Sequence, residues 1–159
     1  MSPKLPLTLI VAGALACALA SAAEGGFELL SKREYQSELT ARAAPHAQLV
    51  LKSADMDAPT ITVVKPDKSG AIRPPVDIDV RFKPAQGATV NIGSLKIMYG
   101  FLKLDITQRI LTAPGVKVSA DGLTASGAKL PAGSHKLLIE VADNYGRTAR
   151  QPVEFTVAE

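Results

Sequence analysis

The strongest constraint on the fold is an alternation of apolar and charged residues in the stretch VDIDVRFK, residues 76 to 83. Successive side chains of a β-strand point to opposite faces of the sheet. The alternation therefore predicts a strand with one face in a core and the other in water. Solvent and cross-strand contacts explain the charges on the wet face better than acid–base chemistry does.

Six more strand-like segments are spread along the chain, separated by turn-forming clusters of Gly, Pro, Asp and Ser. They are residues 60 to 64, 94 to 100, 104 to 110, 115 to 119, 135 to 143 and 150 to 157. Nothing between them is long and periodic enough to be the helix that connects parallel strands, so Rossmann-like and P-loop folds are excluded. We therefore expect an all-β fold, an antiparallel β-sandwich of about seven strands, over residues 59 to 159.

The N-terminus has the pattern of a secretory signal peptide. Lys4 precedes the apolar run LPLTLIVAGALACALASA, which is short for a membrane span and ends in the small residues 20 to 22. We predict cleavage after Ala22, export to the periplasm or beyond, and no stable membrane span afterwards. Lipid attachment at Cys17 is the alternative.

Cleavage at that point would remove the only cysteine and leave 17 basic and 15 acidic side chains. The mature protein would then have neither a disulfide nor thiol chemistry. A charge this close to balance does not predict binding to nucleic acid or to an anionic membrane.

Residues 23 to 58 are predicted to form a short amphipathic helix and a linker. Within residues 27 to 43, Ser31 and Glu34 have the spacing of a capping box. A narrow apolar stripe consists of Leu29, Leu30 and Leu39. Pro45 would end the helix, and the linker can hold a short strand around residues 48 to 52.

The block LPAGSHKLLIEVADNYGR, residues 130 to 147, resembles the closing block of immunoglobulin-like domains common in exported bacterial proteins. The matching residues are Leu130, Pro131, Gly133, His135, Leu137, Ile139, Val141, Asp143, Gly146 and Arg147. The resemblance extends over residues 59 to 157 and implies an immunoglobulin-like sandwich. Because the chain has one cysteine and no tryptophan, it does not imply an antibody-type domain.

His135 stands where such domains often carry a tyrosine whose hydroxyl bonds back to nearby backbone. An imidazole can make a similar bond, so the resemblance implies a structural role for His135 at a strand corner. The whole block is then interpreted as the hairpin that closes the sandwich.

A narrower resemblance is to the small periplasmic copper-binding proteins of the copper-resistance C type. It implies copper ligands from a histidine at the mature N-terminus and another in an Asp-Gly-His stretch. In this chain His46 lies inside the mature sequence, and Leu123 follows Asp121 and Gly122. Copper binding by His46 and His135 is thus the alternative function, although a copper site usually needs three or four convergent ligands.

No constellation of residues predicts catalysis, because a nucleophile-elbow motif is absent and no pair of carboxylates can be placed across a cleft. We therefore expect a non-catalytic module, without a cofactor, that binds another protein or an envelope component through its sheet edges or loops. The candidate contact residues are Tyr99, Phe101, Leu102 and Tyr145.

Overall fold

The computed structural model describes residues 26–43, 55–67 and 70–159. In these ranges the strands are β1 (Phe27–Glu28), β2 (Thr60–Lys65), β3 (Ala71–Ile72), β4 (Val76–Lys83), β5 (Val90–Tyr99), β6 (Leu104–Asp105), β7 (Lys117–Ser119), β8 (Gly122–Lys129), β9 (Gly133–Asp143) and β10 (Thr148–Val157). The helices are α1 (Lys32–Arg42) and α2 (Thr107–Leu111). Neither helix of this part of the chain has the length and apolar character to cross a membrane.

The strands form two sheets. The first has the order β1-β8-β4-β2, with β7 also paired to β8, and the second has the order β3-β10-β9-β5-β6. The longer pairings are antiparallel, whereas the two-residue pairings of β1 with β8 and of β3 with β10 are parallel. The predicted all-β sandwich is confirmed, but its sheets are mixed, and short edge segments raise the strand number to ten in the described ranges.

The apolar faces of the two sheets share one core. On β4 the four apolar side chains are at most 6% exposed, as the alternation predicts: Val76, Ile78, Val80 and Phe82. The second sheet contributes Leu95, Ile97, Leu137 and Ile139. The seam between these faces holds a free volume of only about 10 Å³. One water molecule needs at least this much space, so the seam has no room for a ligand.

The closing hairpin predicted for residues 130 to 147 is formed by β9 and β10. Its turn is organised by Asp143, which is 2% exposed and accepts the backbone N–H groups of Tyr145 and Arg147 at 2.9 and 3.0 Å. Burial raises the pKa of this carboxyl, but these bonds and the Arg147 guanidinium outweigh it, so the net pKa is below its ordinary value. Gly146 completes the turn at φ +80°.

The strand predicted for residues 104 to 110 is wrong beyond its first two residues. After β6 the chain turns into α2, because the carboxylate of Asp105 accepts the backbone N–H of Thr107 at 2.9 Å. Ile106 and Ile110, four residues apart, are both 1% exposed, which is the spacing of one helix face.

Strand β8 was not predicted from the sequence. This strand is rich in Gly and Ala, residue types with low β-propensity, yet Leu123, Ala125 and Ala128 are at most 1% exposed. Gly122 is required there because a Cβ would overlap the carbonyl oxygen of Val80 on the neighbouring strand. Gly122 thus permits the close approach of β8 to β4 at this point.

The N-terminal helix differs from its prediction in extent and in its buried face. Leu29 and Leu30 precede α1 and enter the core, and Leu39 is 37% exposed, so the expected apolar stripe does not exist. The capping box is confirmed, since the Ser31 hydroxyl accepts the Glu34 backbone N–H at 3.2 Å. Because β1 pairs with β8, the sandwich includes residues that lie well before residue 59.

Candidate functional site

Helix α1 attaches to the second sheet by polar and aromatic side chains. Its buried residues are Tyr35, 7% exposed, and Glu38, 1% exposed. They are three residues apart and therefore lie on one face of the helix. The contact side of α1 is thus defined by a phenol and a carboxylate instead of by leucines.

Glu38 holds the turn between β5 and β6, residues 100 to 103, hereafter the β5–β6 turn. Its Oε1 accepts the backbone N–H of Phe101 at 2.5 Å, and its Oε2 accepts that of Leu102 at 3.1 Å. On the solvent side the guanidinium of Arg42 lies 3.4 Å from Oε1. A buried carboxylate with these donors is satisfied, and hydrogen bonds to a charged acceptor are stronger than neutral ones.

The backbone of this turn is further constrained at both ends. Gly100 has φ +67°, and Lys103 has φ +50°. A Cβ at Gly100 would overlap the carboxylate of Glu38, so only glycine lets the turn approach α1 this closely. The Gly100 N–H also donates to the Lys136 carbonyl at 2.8 Å. The turn is therefore preorganised by contacts with two other elements.

Beneath α1 an aromatic cluster surrounds His135, which is completely buried. Its ring lies 5.1 Å from that of Tyr35 and 5.5 Å from that of Phe155, between ring centres. Its Nε2 lies 2.8 Å from the Pro131 carbonyl oxygen, which can only accept, so Nε2 carries the proton. This bond to backbone four residues upstream is the corner bond that the sequence suggested.

The other ring nitrogen of His135 accepts the hydroxyl hydrogen of Tyr99, at an O–N distance of 2.9 Å. Burial lowers the pKa of His135 below its ordinary value, and the charge of Arg42 acts in the same direction, although the bond to Pro131 opposes both. Burial, followed by the charge of Glu38, raises the pKa of the Tyr99 hydroxyl. Both groups are therefore neutral at pH 7.

A groove of about 250 Å³ opens between α1 and the β5–β6 turn, and we call it the α1 groove. Its lining residues are Arg33, Glu34, Ser37, Glu38, Tyr99, Leu102 and Leu104. Leu102 is 54% exposed at its edge, and Phe101 beside it is partly exposed.

An ion pair connects α1 with α2 at the other side of the groove. Both terminal nitrogens of the Arg109 guanidinium contact the carboxylate of Glu34, at 3.0 and 2.8 Å, and Nη1 also donates to the Leu29 carbonyl. Arg109 holds the pKa of Glu34 at about 2. The first turn of α1 is thus anchored to the helix that follows β6.

The four predicted contact residues do not lie on one surface of the protein. Tyr99 is 1% exposed, so its prediction as a surface contact is wrong: its hydroxyl is used inside the protein by His135. Phe101 and Leu102 lie on the β5–β6 turn. Tyr145 is 67% exposed on the β9–β10 turn. This turn follows Asp143, which pairs with Val90 at the opposite end of β5 from Tyr99.

The candidate copper ligands are not brought together in the described ranges. His46 and Cys17 lie outside the described residues, as do the predicted signal peptide and the short strand around residues 48 to 52. A metal at His135 would have to displace the Tyr99 hydroxyl from its only lone pair. Within residues 26–43, 55–67 and 70–159, no three His, Cys, Asp or Glu side chains converge as metal ligands.

Three residues that line the groove, Glu38, Arg33 and Leu104, were not predicted from the sequence as site residues. The three-residue spacing of Tyr35 and Glu38 was a usable signal, because it places both on one face of the helix, but the leucines suggested an apolar stripe instead. The opposing turn could not be identified from this signal, since it lies more than sixty residues further along the chain.

No protein-family model matches the chain, and no curated protein matches it. One similar solved structure is that of CopC from Methylosinus trichosporium OB3b. It is 20% identical, and the alignment covers 56% of this chain and 84% of that chain with a TM-score of 0.35. A likeness of this size assigns neither a family nor a function to this chain.

Proposed function

We propose that this protein is an exported, non-catalytic module that binds another polypeptide through the α1 groove and the β5–β6 turn. The observation that carries the proposal is Leu102, a large apolar side chain that is 54% exposed on a turn whose backbone is held by a buried carboxylate. An apolar side chain presented on a rigid turn loses little conformational freedom on binding, which favours association.

The size of the groove favours a polypeptide over a free small molecule. Pockets that enclose a whole ligand usually measure about 300 to 1,000 Å³, whereas the α1 groove measures about 250 Å³ and is open to solvent. That volume suits one or two inserted side chains. The remaining contact area would come from the surfaces of α1 and the turn.

Export and the immunoglobulin-like relationship belong to the same proposal. Export is supported by the apolar run after Lys4 and the small residues 20 to 22. The immunoglobulin-like relationship is supported by the bond from His135 to the Pro131 carbonyl, which matches the upstream bond of the tyrosine corner. The copper alternative loses support, because both ring nitrogens of His135 are engaged.

Site-specific photocrosslinking tests the proposal. The photoreactive residue p-benzoylphenylalanine is placed at Leu102, or at Val64 as the control, in bacteria that express the full chain. Val64 is equally exposed, at 50%, but lies on β2 in the first sheet. We expect a discrete adduct with another polypeptide from position 102 only. No adduct at 102, or equal yields at the two positions, would overturn the proposal.

The partner recovered in this way permits a quantitative check. Burying a leucine side chain completely contributes about 1.5–3 kcal/mol, so the exposed half of Leu102 accounts for about 1–1.5 kcal/mol. Leu102→Ala should therefore raise the dissociation constant about 5- to 10-fold, whereas Val64→Ala should leave it unchanged.

A further inference from the structure

The charges around the α1 groove are not balanced. Two of its carboxylates already have cationic partners inside the protein: Glu34 pairs with Arg109, and Glu38 with Arg42. In contrast, no carboxylate pairs with Arg33 or Lys103 in the part of the chain that the structure describes. Arg33 lines the groove, and Lys103 lies between two residues that line it.

One further acid, Asp105, follows the groove-lining Leu104 in the chain and keeps its negative charge. The carboxylate of Asp105 accepts the Thr107 backbone N–H at 2.9 Å. Hydrogen bonding to Thr107, together with the charge of Lys96, lowers the pKa of this carboxyl, so it stays anionic. The four cations Arg33, Arg42, Lys103 and Arg109 thus exceed the three carboxylates Glu34, Glu38 and Asp105 by one charge. The two cations without a carboxylate partner in the described ranges, Arg33 and Lys103, are exposed on opposite walls, α1 and the β5–β6 turn.

We infer that the α1 groove binds a segment in which an apolar side chain is flanked by acidic residues. The apolar side chain would enter beside Leu102 and Leu104, and the carboxylates would meet Arg33 and Lys103. This inference rests on the proposed function and adds the chemistry of the partner. Opposite charges at the rim of an apolar contact speed association and select the partner more than they add affinity.

Peptide selection tests this inference. A library of random twelve-residue peptides displayed on phage is selected against the purified full-length protein, and enriched peptides are retested as synthetic peptides. The test variant carries Arg33→Glu with Lys103→Glu. The matched control carries Lys83→Glu with Lys117→Glu, which changes the net charge equally at exposed positions of the first sheet.

We expect the enriched peptides to contain an apolar residue with acidic neighbours. Their affinity should fall about tenfold or more in the test variant, stay unchanged in the control, and weaken several-fold between low and 0.5 M salt because exposed charges are screened. Circular dichroism of both variants checks that the fold is kept.

Two other outcomes separate the inference from the function on which it rests. Peptides whose binding is lost in Leu102→Ala, but which lack acidic residues and bind the test variant normally, would overturn the inference and leave the proposed function intact. If no enriched peptide depends on Leu102, both are wrong.

Discussion

Replacing Glu38 with glutamine should loosen the β5–β6 turn from α1. The carboxylate accepts one backbone N–H on each oxygen, from Phe101 and from Leu102. A glutamine keeps one acceptor oxygen, but its NH₂ group faces the other N–H, and two donors cannot bond to each other. The substitution preserves side-chain volume, so any effect reports on the hydrogen bonds and on the lost charge facing Arg42 rather than on packing.

The expected loss of stability follows from the burial of Glu38, which is 1% exposed. Hydrogen bonds to a charged group contribute about 1.5–3 kcal/mol each, and a buried donor without a partner costs about 1–3 kcal/mol. With one bond retained in weakened form, Glu38→Gln should lower the free energy of unfolding by about 2–3 kcal/mol. That corresponds to a fall in melting temperature of about 8 °C for a domain of this size.

Urea denaturation measures the loss in the free energy of unfolding of the whole domain, and amide hydrogen exchange shows which residues are affected. The amide protons of Phe101 and Leu102 should exchange about 30-fold faster or more, which is what 2 kcal/mol implies. The control is Glu154→Gln, because that carboxylate is 63% exposed and pairs with Lys136 at the surface. It should cost less than about 1 kcal/mol.

The outcome that refutes this reasoning is a Glu38→Gln protein as stable as Glu154→Gln, with unchanged exchange at the two turn amides. The turn would then hold its shape without α1, and the buried carboxylate would have no part in presenting Leu102.

Three further predictions concern other parts of the chain. The pKa of His135 is lower in the folded protein than in the unfolded chain, so the unfolded chain takes up the imidazole proton first as the pH falls. The free energy of unfolding should therefore decrease below about pH 6.5, by at most 1.4 kcal/mol per pH unit. Urea titrations of His135→Gln should lack this pH dependence. Gly100→Ala should lower the free energy of unfolding by at least about 1 kcal/mol more than Gly115→Ala does. Both glycines have positive φ, but only at Gly100 would a Cβ overlap Glu38. Equal losses of stability in thermal melts would contradict this. Mass spectrometry of the exported protein should find Ala23 as the first residue, whereas a lipidated Cys17 or an intact N-terminus would show the cleavage prediction to be wrong.

The elements predicted correctly depend on interactions between near neighbours in the chain. The alternation in β4 places its apolar side chains in the core because the strand period is two. The capping box of Ser31 and Glu34 acts over three residues. Strand β9 and the turn that follows it carry their own alternation and their own turn residues, so the closing hairpin could also be predicted.

The errors arise where tertiary packing overrides local preference. A β-branched stretch became α2 because Ile106 and Ile110 fill the core at helical spacing. A stretch rich in Gly and Ala became β8, where Gly122 approaches β4 so closely that a Cβ would overlap the carbonyl oxygen of Val80. For β8 the contact with Val80 is made on another strand, which no local window contains. For α2 the spacing of Ile106 and Ile110 is local, but their common burial is decided by the core.

The sequence by itself determined that this chain builds a β-sandwich, since the apolar alternation of several segments must be buried on one face of each sheet. Only the tertiary structure decided where the candidate site lies. Glu38 meets the β5–β6 turn across 63 positions of sequence, and Tyr99 meets His135 across 36. Such contacts depend on the packing of the whole domain, because the elements that carry the two residues must first be placed side by side. That placement results from many residues acting together and not from any short segment.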